Sequence, residues 1–193
     1  MLALYLVYFV LLGISPYDRT VWWAENIPIM GIVAVLACTY RRFAFSRTAY
    51  LLMGFLIFLH TLGGHFTFAR VPFGLITETF GFARNHFDRM AHFTVGFYAW
   101  PLAECLLRRR LTASRGVLFF FPVSAILAIA ALYEIFEWQY AVLGDPNAGA
   151  AVLGSQGDIW DAQQDMLADG LGALTTTLLF LWCTRRFRPQ PVS

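Results

Sequence analysis

The 193-residue chain contains no lysine; all fourteen of its cationic side chains are arginine. Schiff-base chemistry and a lysine general base are therefore excluded. Charge of either sign is scarce, at 13% of residues, when a soluble domain carries about a quarter. Cysteine is limited to Cys38, Cys105 and Cys183, an odd set without a CxxC, which cannot form a closed disulfide set. GxSxG, a Walker loop, HExxH and the dinucleotide fingerprint are all missing. Neither Ser15 nor Ser155 lies in a recognised nucleophile setting. What is plentiful is apolar surface: 59% of residues are hydrophobic and the mean hydropathy is +0.60. A domain of this length leaves much of its surface exposed, so these side chains cannot all hide from water inside one globule. An ordinary soluble protein and a disordered chain are both excluded, and a single integral membrane domain over residues 1–193 is expected. The net charge of +2, with arginines clustered rather than striped, does not suit nucleic acid. The expected partner is membrane lipid.

Apolar stretches fall at Leu2–Ile14, Val21–Tyr40, Ala49–Gly63, Met90–Leu107, Val117–Trp138 and Met166–Cys183. A straight crossing needs about 20 residues, with a working range of roughly 17–25. The last three reach that range, and Val21–Tyr40 does so only by including Glu25, Asn26 and Pro28. The first stretch has no basic n-region and no small-residue cleavage site, so it reads as an uncleaved helix. The sequence predicts an all-α, polytopic transmembrane bundle of about six helices. Gly64–Arg89, rich in Phe and Gly, is expected to form an outward re-entrant or interfacial segment between helices three and four. Ala141–Trp160, with Gly144, Asp145, Pro146, Gly149, Gly154 and Gly157, reads as a flexible loop.

Orientation follows from arginine placement. Arg41, Arg42, Arg47, Arg108, Arg109, Arg110, Arg115, Arg185, Arg186 and Arg188 lie on one side, against Arg19, Arg70, Arg84 and Arg89 on the other. The positive-inside rule then puts both termini in the cytoplasm. The three cysteines fall at cytoplasmic helix ends, as reduced thiols would. Trp22, Trp23, Trp138 and Trp160 fall at the outer boundary and read as an aromatic belt.

Ionisable groups inside a membrane are expensive and usually functional. Here they gather at outward helix ends: His60 and His65, then His86, Asp88 and His92, then Glu134 and Glu137, then Asp158, Asp161, Asp165 and Asp169. Asp88 and His92 are four apart and share a helix face. That face continues through Gly96, Ala99 and Ala103, small residues that permit close helix approach. Asp161, Asp165 and Asp169 repeat at four, continuing through Gly172 and Thr176, with Asp169 about 6 Å deeper than Asp165. Glu104 and Arg108 form an i,i+4 pair, Glu25 stands where it can join the cluster, and Asp158 and Asp161 read as helix N-terminal charges.

Crowded carboxylates need protons, cationic partners or metal ions. A His and carboxylate set suits zinc, manganese or iron, and helix bundles with dinuclear centres draw similar sets from several helices. The metal candidates are His60, His65, Asp88, His92, Asp165 and Asp169, with Glu134 and Glu137 as candidate catalytic bases. Such a site would support metal-assisted hydrolysis of an ester or phosphodiester in an envelope lipid or precursor. Two alternatives stand beside it. One is a structural polar network, pairing Asp88 with His92 and Arg89 with Glu134. The other is proton- or cation-linked transport, although polar residues thin out below Asp169.

The phrases Gly63-Gly64-His65, Asp88-Arg89-Met90-Ala91-His92-Phe93, Tyr133-Glu134-Ile135-Phe136-Glu137-Trp138 and Asp158 through Asp165 to Gly172 carry a family resemblance. The chain resembles the YjdF-like family of uncharacterised bacterial inner-membrane proteins over most of its length and, more distantly, the VanZ-like proteins. The first resemblance implies an inner-membrane location and no settled activity. The second points to glycopeptide-antibiotic resistance at the outer surface of the membrane, yet where that family usually has Asn this chain has Asp169, which makes the cluster more ligand-like.

Overall fold

The computed structural model describes residues 1–112, 114–144 and 146–185. Among them are nine α-helices, two 3-10 turns and no strand: α1 Leu2–Leu12, α2 Arg19–Thr39, α3 Arg47–Phe66, α4 Gly74–Thr79, α5 Phe87–Val95, α6 Ala99–Arg108, α7 Arg115–Leu143, α8 Pro146–Leu153 and α9 Asp161–Cys183. Helix starts follow local chemistry. Asp18 accepts from the Thr20 and Val21 amides at 2.7 and 3.0 Å to open α2, and Ser46 accepts from Ala49 to open α3; both satisfy orphan first-turn donors.

The all-α fold stands, and α2, α3, α7 and α9 are each long and apolar enough to cross a membrane. The fourth expected span is present as two helices. Pro101 lacks an amide hydrogen and its ring crowds the Phe97 carbonyl, and the chain passes through a 3-10 turn at Gly96–Tyr98 between α5 and α6. The first expected helix is short: α1 has 11 residues, about 16 Å of rise, roughly half the hydrocarbon thickness. Its Met1 end rests against Gly54 in the middle of α3.

One reading of a connection changes. Much of the expected loop at Ala141–Trp160 is helical: α7 runs on to Leu143 and α8 follows. Gly149 lies against the Ala141 backbone where a Cβ would collide, so a residue read as a breaker serves helix contact. In Gly64–Arg89, Phe68 and Phe87 are buried, whereas α4 has no buried residue and Leu75 on it is 83% exposed. Asp145, Arg186 and Arg188 lie outside the described residues.

α9 is the hub, packing against α5, α6 and α7. Its approach to α5 is close because both faces are small: a Cβ on Gly96 would strike Gly172 and Ala173 backbone, and one on Gly172 would strike the Phe93 carbonyl. Below this contact the core is Ala99, Ile126 and Ala173. Lipid-facing side chains are apolar and exposed, among them Val35, Leu132 and Leu178, as a bilayer solvent requires. The arginine-rich end is tied by Glu104, which accepts from Ser46 and from Arg108 at 2.6 Å. The expected Glu104–Arg108 pair is therefore present, and it also anchors α6 to α3.

Candidate metal centre

The acids and histidines meet at the end opposite the arginine-rich one. His92 enters from α5, and its Nδ1 lies 3.1 Å from Asp169 Oδ2 on α9. A carboxylate only accepts, so Nδ1–H donates to it and Nε2 faces the other way. There Nε2 meets Asp88 Oδ1 at 3.7 Å and Glu134 Oε1 at 4.0 Å. Asp88, His92 and Asp165 each offer a ligand atom within 4.8 Å of one another. Asp169 is wholly buried, and the side chains of His92, Glu134 and Asp165 are at most a tenth exposed. Glu134 Oε1 and Asp169 Oδ1 are buried without a hydrogen-bond partner, a state that carries a desolvation cost unless something else satisfies the oxygen.

Gly154 closes the site from the α8–α9 connection. Its φ is +60°, and a Cβ there would come 3.2 Å from Asp88 Oδ2, so a side chain would be both strained and in the way. Above it two arginines roof the cluster. Arg84 reaches Asp161 at 2.6 Å and the Ser155 carbonyl at 3.1 Å. Arg89 reaches Asp161 at 2.6 Å, Asp165 at 2.9 Å and Asp158 at 3.2 Å, and also bonds Gln164. The expected Arg89–Glu134 pair is thus replaced by pairing with the α9 acids. Asp158 and Asp161 are fixed by these arginines as well as standing at a helix N-terminus. Outside the spans, a Trp160 amide bond and the arginines hold the Asp158 carboxyl below its usual range. Burial and the nearby arginines lower His86.

A second group lies across the interior. Glu25 Oε2 accepts from His60 Nε2 at 3.1 Å and from the Tyr133 hydroxyl at 3.1 Å, while Glu25 Oε1 is buried without a partner. A cavity of about 310 Å³ connects the two groups and is lined by His60, Asp88, His92, Tyr133, Glu137 and Asp169 along with apolar side chains. Of the residues singled out in the sequence, Asp88, His92, Glu134, Asp165 and Asp169 come together. His60 and Glu137 face the shared cavity. His65 stands apart, its Nδ1 donating to the Leu12 carbonyl at 2.7 Å to fasten α1 to α3. Trp22 is 3% exposed and packed on Phe9, not a boundary anchor, whereas Trp23, Trp138 and Trp160 are exposed. Tyr133 and Arg84 were missed. Tyr133 carried a usable signal, being four before Glu137 on one face, but Arg84 sits in irregular chain where spacing says nothing.

This is a helical multi-pass membrane protein with a buried His and carboxylate cluster at one end of the bundle. The family described as "Predicted membrane protein (DUF2238)" matches residues 1–186, and the chain belongs to it. It is 38% identical over 183 residues to the inner membrane protein YjdF of Escherichia coli strain K12, covering 92% of this chain and 84% of that protein. No solved structure matches.

Proposed function

We propose that the cluster is a divalent metal centre, with His92 Nε2, Asp88, Glu134 and Asp165 as its ligands and Asp169 orienting the imidazole. One observation carries the reading. The buried, unpartnered Glu134 oxygen faces the free nitrogen of a histidine whose other nitrogen is already held by a carboxylate. That is the pattern by which an outer carboxylate fixes a ligating histidine. Ligand atoms about 2.0–2.2 Å from an ion lie roughly 3.5 Å apart in a tetrahedral set, so the spacings need only a modest closure. One nitrogen with several carboxylate oxygens suits zinc, manganese or iron.

The chemistry that fits is hydrolysis of an ester or phosphodiester in an envelope lipid. A bound ion would supply Lewis acidity and bring a water near pKa 7. Glu137, buried on the cavity wall, stands ready as general base, while the arginine roof limits access from bulk water. The apolar core beneath Asp169 favours a static, one-sided site over a path through the membrane. Arginine asymmetry supports a site at the periplasmic leaflet of the inner membrane. Metal analysis of protein purified without chelator tests the reading. The expected result is bound transition metal in the wild type and its loss in His92→Ala. Wild-type protein that stays metal-free after reconstitution would overturn it.

A further inference from the structure

The cavity does not end at the cluster. Its polar crown occupies the site end, and Ile29, Leu56, Val95 and Ile126 wall the deeper part. α2 (Ile29, Ile32) and α7 (Ile126, Ile129) both line that deeper part, yet among the described residues they share no extended packing. The Tyr133–Glu25 hydrogen bond joins them beside the crown, and α8, which packs on both, bridges them at the site end. Further down, Ile129 of α7 is at once a cavity wall and 53% exposed. It lies eight residues before Glu137, about 12 Å along the helix, which is hydrocarbon depth. An apolar cavity opening sideways there meets lipid chains and no water.

We propose that the gap between α2 and α7 is a lateral port that admits one acyl or isoprenoid tail of a membrane lipid, leaving the headgroup linkage at the polar crown beside Asp88 and His92. A volume of about 310 Å³ is at the lower end of sites that hold small ligands. The port stands on the cavity itself; that the lipid is also a substrate rests on the metal reading.

The test uses the full chain in vesicles of phosphatidylethanolamine and phosphatidylglycerol, doped with a phosphatidylethanolamine bearing a diazirine midway along one acyl chain. Illumination is expected to label Ile29 and Ile126, which are 2% and 1% exposed and which a tail in the bulk bilayer does not reach. Ile129→Trp is expected to cut this inner labelling about tenfold by overfilling the gap, with labelling of the outward Leu132 unchanged. Ile32→Trp narrows the same gap from α2 and serves if the first variant misfolds. Wild-type labelling confined to exposed residues such as Leu132 and Ile135, or inner labelling undiminished in a folded variant, would overturn the port. Metal content of the same samples separates the two ideas. Inner labelling without metal keeps the port and removes the hydrolytic reading; metal without inner labelling does the reverse.

Discussion

Asp169→Asn preserves the shape of a side chain that touches His92 Nδ1 at 3.1 Å but removes the charge that orients and polarises the ring. If Asp169 supports a ligand, metal affinity should fall about 10–100-fold, as for other outer-shell substitutions, and competition with a chelator of known affinity measures it. Asp165→Ala removes a proposed ligand and also strips Arg89 of a partner, so it should lose metal and some thermal stability. Glu104→Ala should instead keep metal while lowering the melting temperature, because Glu104 accepts from Ser46 and Arg108 far from the cluster. At this scale the sequence was informative where chemistry repeats along one helix. Asp88 with His92 and Asp165 with Asp169 are each four apart, and all four meet. It misled at His65, five residues after His60 and so about 140° around the helix. It left Glu25 open because its partners, His60 and Tyr133, are on other helices.

Between elements, the α5–α9 contact sets the distance between His92 and Asp169. Gly96→Ala and Gly172→Ala each place a Cβ against backbone that has no rotamer to yield. Each should cost about 1–3 kcal/mol or more by overpacking and weaken metal binding from a distance, read by thermal unfolding and metal titration together. The small-residue stripes that gave this contact were legible because both helices carry them at helical spacing. The roof was not, because Arg84 acts from irregular chain and its partners lie about seventy residues on. The Asp158 carboxyl is held below its usual range by the Trp160 amide and Arg89. A lowered folded-state value stabilises above the unfolded one, near 3.8, and that stabilisation disappears as pH falls through the lowered value. The melting-temperature gap between wild type and Asp158→Asn should therefore be open at neutral pH and close on acidification. A gap constant with pH would show that Asp158 adds nothing to the roof through its charge.

Over the whole molecule, composition carried most of the fold. Four spans and the split α5–α6 rod follow the apolar runs, while α1 falls short because eleven residues cannot reach across. α8 was hidden by Gly149, which serves contact rather than turning. The proposed orientation is testable with a membrane-impermeant maleimide. Ile159→Cys, at a position 84% exposed at the site end, should label in intact spheroplasts, and Leu111→Cys, 68% exposed at the arginine-rich end, only in inverted vesicles. The most direct test of the central claim is metal content per chain in wild type and His92→Ala, purified side by side without chelator and then offered zinc, manganese and iron. The account expects about one ion bound per wild-type chain and little in the variant, with both still folded. Equal, near-zero metal in the two proteins would contradict it and leave the cluster as a structural polar network.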